Sequence, residues 1–158
     1  MALTKEDMKT AYPLAVYNYQ VTIGKDTVAF TEVSGLTIGY EKSTYKESST
    51  EPGKASPRVF NMPGQASAIT VTLKKGLVPS KSQAALYDWI NSVSINLVEK
   101  KDIHISLCDE TGKAVVTWTV INAFPTKLTA PTFDSKSNDV AIESLELTAD
   151  NIIINYKA

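Results

Sequence analysis

His104 and Cys108 stand four residues apart and carry the side chains of a nucleophile and its general base. A thiol beside an imidazole can perform covalent catalysis. The alternation of apolar and polar residues around them predicts a strand, with both side chains on one face but about 13 Å apart at about 3.3 Å per residue. Proton transfer requires about 3 Å. We therefore expect a half-exposed histidine and an inert cysteine.

Two further groups of charged residues could do chemistry. Lys74 and Lys75 precede Gly76, but no glycine-rich cradle for a phosphate accompanies them, so the pattern predicts a strand end at the surface. Glu143 and Glu146 could form the carboxylate pair of a glycosidase. Acidic residues are scattered singly along the chain, which favours solvated surface positions for both.

Trp89 and Trp118 could provide a stacking platform for a sugar or a base. Trp89 falls on the apolar stripe of a predicted helix, and Trp118 alternates with valines in a predicted strand, so we expect both in the core. The chain contains no G-x-x-x-x-G-K-S/T, G-x-S-x-G or H-E-x-x-H motif. We therefore predict a protein that is not an enzyme and binds no cofactor or metal. A ligand inside a small β-barrel stays compatible with the strand pattern.

The composition excludes several classes of protein. Of 158 residues, 43% are hydrophobic and 21% are charged, which is typical of a water-soluble domain and not of a disordered or membrane-embedded chain. The net charge of −1 disfavours tight binding to nucleic acid. One cysteine and one histidine are too few for a disulfide or a closed zinc site. Charges in the first ten residues predict no signal peptide, and no apolar run reaches the ~18 residues of a spanning helix, so we expect no membrane anchor.

Hydrophobic periodicity predicts a mainly β chain with seven to nine strands. Period-two alternation indicates strands at 15–23, 27–32, 69–74, 103–108, 115–121, 140–148 and 152–156, the sixth with a bulge at Glu143 and Ser144. A third extended run follows Gly35 and Gly39 and continues through Tyr45, and another extended piece lies between Pro125 and Pro131.

A different pattern indicates one helix at about 81–93. Ser80 and Gln83 match a capping box, and the apolar residues that follow recur at helical spacing. The fold class is therefore mainly β, an antiparallel β-sandwich or barrel with one short α-helix. We expect a single domain over 1–158, with an extended loop or hairpin arm at about 43–62, whose centre at 46–58 contains no large apolar residue.

Short motifs occur in a fixed order over roughly 12–154, and together they carry a family resemblance. They are Pro13 with Tyr17 and Tyr19; FTEVSGL from Phe30; YKE from Tyr45; MPGQ from Met62; ITVTLKKG from Ile69; LYDW from Leu86; KDIHISL from Lys101; NAFP ending at Pro125; and NDVAIE from Asn138. In this combination the chain resembles the tail tube proteins of contractile phages, and most closely the inner tube proteins of extracellular contractile injection systems.

The resemblance implies a structural function. Such proteins form hexameric rings that stack into a hollow tube inside a contractile sheath, and effector protein or DNA passes through the lumen without tight binding. The implied partners are copies of the chain itself, the sheath protein, baseplate and tube-initiator proteins, and a cap or terminator protein. Assembly would take place in the bacterial cytoplasm, before the particle is released or joined to a virion. A polar strand face would then be the candidate lumen surface.

Two surfaces are candidate interfaces. We expect the arm to reach a neighbouring subunit or the next ring, with the contacts made by Tyr45, Lys46, Glu47, Glu51, Lys54, Arg58, Met62 and Gln65. By the same resemblance the predicted helix lies on the sheath side, where Lys81, Gln83 and Asp88 would be exposed. Two alternatives stay open: a ring protein of type VI secretion, and a monomeric ligand-binding β-barrel.

Overall fold

The computed structural model describes residues 2–157, which form ten strands and three short helices with a π-helical turn. The strands are β1 Tyr19–Ile23, β2 Asp26–Val28, β3 Glu32–Ser34, β4 Tyr40–Glu47, β5 Arg58–Ala66, β6 Ile69–Gly76, β7 Lys101–Cys108, β8 Ala114–Thr129, β9 Ile142–Ala149 and β10 Asn151–Tyr156. The helices are α1 Lys5–Ala11, α2 Pro79–Ser82 and α3 Asp88–Asn91, and the π-helical turn Gln83–Tyr87 joins the last two.

The strands pair antiparallel in two sheets that share β8, and in one separate hairpin. Sheet A has the order β2-β1-β7-β8-β10, and sheet B has the order β8-β9-β6-β3. The hairpin β4–β5 pairs with neither sheet in the part of the chain that the structure describes. The prediction of a mainly β, antiparallel fold with a short helix is confirmed.

One face of each sheet supplies the core. The alternation of residues puts Val71 and Leu73 of β6 opposite Leu147 and Leu145 of β9, and none of these four side chains is accessible to solvent. Sheet A adds a second apolar layer that includes Ile103. Each fully buried aliphatic side chain of this kind stabilises the fold by roughly 1.5–3 kcal/mol.

Strand β8 is long enough to belong to both sheets because it bends in its middle. Residues up to Ile121 pair with β10, and residues from Phe124 pair with β9. Asn122 adopts a positive φ of 55° at the bend, a conformation that asparagine tolerates better than most residues. Its backbone N–H donates to Asp102 Oδ1 at 3.0 Å and its side-chain amide donates to Asp150 Oδ2 at 3.0 Å, which ties the bend to both neighbouring strand ends.

The predicted helix exists but begins two residues earlier than expected and is not capped as expected. Pro79 occupies the first turn of α2, where its missing N–H costs nothing. Ser80 and Gln83 form no capping box; instead the Ser82 hydroxyl accepts the N–H of Val78 at 3.2 Å. A capping box does occur in α1, a helix that the sequence pattern did not indicate.

Helix packing against the sheets depends on two side chains. Leu86 is fully buried and Trp89 is 3% exposed, which confirms the prediction that Trp89 lies in the core. The Trp89 indole N–H donates to the Glu99 carbonyl at 2.7 Å, so the buried polar atom is satisfied. Trp118 is partly buried and packs against the same core, which confirms the second tryptophan prediction.

Three details of the predicted strands are corrected. The first strand begins only at Tyr19, and Val16 and Tyr17 are highly exposed. Strand β9 keeps an unbroken register with β6, so no bulge lies at Glu143 and Ser144; the strand simply begins at Ile142. The core face of β9 begins with Glu143 and continues with Leu145 and Leu147. Val140 and Ile142 are out of phase with these leucines because neither belongs to that face.

The close approach of chain segments beside β3 explains one glycine of the FTEVSGL motif. Gly35 has a φ of 88°, and a Cβ atom there would lie 2.1 Å from the Thr70 carbonyl oxygen. No side chain fits that space, so the path from β3 past β6 requires glycine.

Replacing Asn122 tests the bend of β8. We expect Asn122→Ala to lower the free energy of unfolding by about 2 kcal/mol, because alanine pays the left-handed backbone strain and the hydrogen bond to Asp150 is lost. The matched control is Asn96→Ala, which removes a second asparagine of positive φ, 60°, in an exposed turn. Urea unfolding of unassembled protein measures both, and equal losses for the two variants would contradict the role of the bend.

Candidate functional site: the arm, the polar sheet faces and the sheet edges

The structure separates His104 from Cys108. Both lie on β7, where Cys108 is only 5% exposed and its thiol donates to the Ser106 carbonyl at 3.6 Å. His104 faces outward, with Nδ1 3.2 Å from the Thr119 hydroxyl. The histidine contacts Thr119 and the thiol contacts Ser106, so these two side chains do not form a nucleophile–base pair.

The charged candidates are placed differently from the sequence prediction. Lys74 is exposed in part and pairs with Glu32 at 3.5 Å, whereas Lys75 is only 5% exposed. Glu143 is 7% exposed, and Glu146 lies on the opposite face of β9. The expectation that Lys75 and Glu143 are surface residues is wrong because the pleat of their strands turns both toward the core. Glu143 and Glu146 cannot act together as a glycosidase pair.

No cluster of three or more histidine, cysteine, aspartate or glutamate side chains within residues 2–157 could hold a metal ion. No helix in the same range is long and apolar enough to cross a membrane.

Burial raises the pKa of Tyr19, and the other shifted pKa values belong to surface contacts. A hydrogen bond from the Thr111 hydroxyl lowers the pKa of Asp109, and one from Thr4 lowers the pKa of Asp7. Glu110 raises the pKa of Lys9 through an ion pair of 3.2 Å that ties α1 to the β7–β8 turn. These contacts are structural: they cap α1 and order a turn.

The outward face of sheet A carries polar, mostly uncharged side chains. Ser106 and Thr117 share a hydrogen bond of 3.0 Å between neighbouring strands, and Thr22 and Thr119 flank His104 in the next row. The outward face of sheet B also carries hydroxyl groups, such as those of Thr72 and Thr148, together with the ion pair between Lys74 and Glu32. Such surfaces offer many weak hydrogen bonds and no strong field of one sign.

The hairpin β4–β5, called the arm from here on, presents one aromatic face. Tyr45 and Phe60 are cross-strand neighbours with ring centroids 6.2 Å apart. Arg58 stacks over Phe60 at 5.3 Å and pairs with Glu47 at 3.6 Å. Met62 continues this face toward the body of the protein. The side chains contact one another, yet most of their surface is open.

The structure brings most of the predicted arm residues together in this hairpin. Tyr45 is 53% exposed and Met62 is 46% exposed, which is unusual for side chains of this size. Glu51 and Lys54 form an ion pair in the connecting loop. The other predicted residues are Lys46, Glu47, Arg58 and Gln65, all on the two strands and exposed except for the half-buried Glu47.

The helix candidates lie on one exposed surface. Lys81 ends the first turn of α2, Gln83 begins the π-helical turn and Asp88 begins α3, and all three are exposed. They lie on the side opposite Leu86 and Trp89, which the core holds.

Sequence patterns did not identify the open strand edges. Strands β2 and β10 end sheet A, and β3 ends sheet B, so their outer backbone groups pair with no strand in the described chain. Ile153 and Tyr156 of β10 are 49% and 74% exposed. Open edges with apolar side chains are prone to pair with another chain. An even spacing of strands in a sequence does not reveal which strand will end a sheet.

Comparisons with solved structures show full-length similarity. A chain from the cryo-EM structure of an extracellular contractile injection system, the PVC sheath-tube complex in its extended state, is 40% identical, with a TM-score of 0.88 over 99% of this chain and 100% of that chain. A chain from the anti-feeding prophage cap is 42% identical, with a TM-score of 0.83 over the same shares. Hcp1 from Flavobacterium johnsoniae is 15% identical over 89% of this chain and 97% of that chain, with a TM-score of 0.52, and shares the fold alone.

No curated protein sequence matches the chain. The family model of the T4-like virus tail tube protein gp19 matches residues 15–153, which include the arm, the helices α2 and α3 and all the strands except the second half of β10. Together with the full-length similarity at 40% identity, this match shows that the chain belongs to the tail tube protein family.

Proposed function

We propose that the chain is the repeating subunit of the inner tube of an extracellular contractile injection system. Hexameric rings of it stack into a hollow tube within a sheath. The observation that carries the proposal is the end-to-end match, at 40% identity, with a chain of a sheath-tube complex. Chains from a sheath/tube terminator and a baseplate are also similar. The role is structural rather than catalytic, and the protein becomes part of an extracellular particle.

The open edges and polar faces support this function. A ring of copies can pair edge strands laterally and so cover backbone groups that would otherwise invite aggregation. A polar, hydroxyl-rich sheet face then lines the lumen, where effector protein or DNA passes. Because such a face has no strong field of one sign, cargo is not retained by charge.

Sequence identity favours this function over that of a type VI ring protein, and the exposed surfaces favour it over that of a monomeric ligand-binding barrel. Hcp1 from Flavobacterium johnsoniae is 15% identical, against 40–43% for the chains from the sheath-tube complex, the sheath/tube terminator and the anti-feeding prophage cap, so a role as a type VI ring protein has much less support. A monomeric ligand-binding barrel leaves the open edges and the exposed arm without a purpose.

Electron microscopy of the purified chain tests the function. We expect six-fold rings at high protein concentration, and stacked tubes when the ring is offered a tube initiator, because edge pairing and arm contacts both gain from mass action. Negative-stain images and mass photometry measure the assemblies. A strict monomer under both conditions would overturn the proposal.

We infer that the arm holds one ring to the next. A two-stranded hairpin is at best marginally stable alone, and this one exposes Tyr45, Phe60 and Met62 on a single face. A neighbouring subunit that covers this face would bury aromatic area at little entropic cost, since the cross-strand contacts already order the rings. Glu47 and Arg58 lie on the same face and supply a polar rim. Glu51 and Lys54 lie in the connecting loop, Gln65 lies near the end of β5, and Lys46 is on the opposite face.

The double substitution Tyr45→Ser and Met62→Ser tests the arm. We expect single rings to persist and stacked tubes to fall by about tenfold or more, because two apolar interface anchors are lost. Deletion of 49–56 should act in the same direction. The control is Thr44→Ala with Asn61→Ala, which removes a hydrogen-bonded pair from the opposite face. Tube lengths and counts from micrographs decide, and unchanged stacking in the serine variant would refute the arm contact.

We also infer that the exposed surface of α2 and α3 faces the sheath. Lys81, Gln83 and Asp88 are free of the core, so they are open to a partner outside the ring. Asp88→Arg should reduce binding of sheath protein to preformed tubes by about tenfold, since a reversed charge meets a surface shaped for the original one. Asp139→Arg, in an exposed loop, is the control. Co-sedimentation measures binding, and equal retention of sheath by both variants would contradict this placement.

A further inference from the structure

Lys75 is buried without a carboxylate partner. It is 5% exposed, and no other lysine in the described range of 2–157 is buried. Its ammonium group donates to the Gly76 carbonyl at 3.3 Å, and it takes part in none of the ion pairs of those residues. An ammonium group has three donors, and a buried charge is costly unless it is paired.

Glu143 does not neutralise this lysine although the two residues are directly opposite in the β6–β9 register. Glu143 Oε1 is buried and has no hydrogen-bond partner of its own. Cross-strand neighbours of this kind normally have Cβ atoms about 4.5–5.5 Å apart, so an ion pair was within reach of both side chains. Lys75 instead lines a cavity whose lining does not include Glu143.

The cavity has a volume of about 790 Å³, within the usual range for ligand sites. It lies between strands β1 and β2 and the segment of α2 and the π-helical turn. Apolar side chains form much of its wall, among them Ile23, Val28, Phe30, Val78 and Ala85.

Positive charge is in excess around the cavity. Lys81 and Lys101 line it together with Lys75, and Asp26 is the one acidic residue of the lining. Lys101 is held in place from the other side by the Trp89 ring, whose centroid lies 5.1 Å from its ammonium group. Three ammonium groups and one carboxylate beside an apolar wall suit a ligand with a negative head and an apolar body.

We propose that this cavity binds a carboxylate that carries an apolar group, with Lys75 as the buried partner of the carboxylate and the apolar wall around its body. Lys81 and Lys101 add charge at the cavity. The ligand can be a free amphipathic carboxylate or an acidic side chain next to an apolar one on a neighbouring copy of the chain. All the residues that line the cavity belong to one subunit, so binding can be tested on unassembled protein.

Decanoate is a suitable probe because it has one carboxylate and a ten-carbon chain. We expect saturable binding to unassembled protein by calorimetry, with shifts of the backbone amide signals of Ala29, Ala84 and Ala85 in NMR spectra. Decyltrimethylammonium, with the same chain and the opposite charge, should cause no such shifts. Absence of saturable decanoate binding would overturn the site.

Substitutions assign the binding to the lysines. Lys75→Met should weaken decanoate binding by about tenfold or more, because the charge is lost and the shape of the side chain is kept, whereas Lys75→Arg should largely retain it. Lys127→Met, on the exposed face of sheet B, is the control and should bind like the original chain. If Lys75→Met fails to fold, the exposed Lys81→Met decides, with an expected loss of several-fold. Binding unaffected in the variants that fold would refute the proposal.

Assembled tubes separate the two sources of the carboxylate. If decanoate binds the single subunit and not the tube, a neighbouring copy supplies the carboxylate in the tube. If it binds both equally, the ligand is a free molecule. Either result supports the binding site and identifies its occupant. Both results can be obtained whichever particle the tube belongs to, so they do not depend on the proposed function.

Discussion

The bend of β8 at Asn122 determines how the two sheets are joined. One continuous strand pairs with β7 and β10 before the bend and with β9 after it, so the sheets cannot separate without breaking β8 itself. The left-handed conformation of Asn122 makes that bend possible, and hydrogen bonds to Asp102 and Asp150 fix its direction. The NAFP motif is therefore a geometric requirement: asparagine for the bend, then a buried Ala123 and a buried Pro125 where the chain enters sheet B.

The helical segment α2–α3 packs against the core that the two joined sheets form. Leu86 and Trp89 reach the core formed by both sheets, and the bond from Trp89 to Glu99 also fixes the chain that returns to β7. The same segment forms a wall of the cavity beside Lys75. A lysine and a glutamate on adjacent strands, both turned inward and not paired, make this the least satisfied part of the interior. Burial of charge of this kind is a weak source of stability, and its presence argues for a binding role.

Sequence patterns predicted an element correctly where the burial of apolar side chains alone determined it. Alternation predicted the strands of the core, and helical spacing placed Trp89 inside. The patterns failed where tertiary contacts decide. The pleat of β6 and β9 buried Lys75 and Glu143 against the expectation for charged residues. The residues of the arm could be named from composition, but their common aromatic face follows from the pairing of Tyr45 with Phe60, which no single strand reveals.

The arm and the open edges point to the same conclusion about stability. A hairpin that packs on neither sheet has no core of its own, and β2, β3 and β10 leave hydrogen-bonding groups unpaired by any strand of the described chain. In a monomer these features would be costly and prone to aggregate. In the ring and stack that we propose, a neighbour can pair with an edge strand and cover the aromatic face of the arm. If the proposed contacts form, part of the free energy that orders this chain comes from its copies.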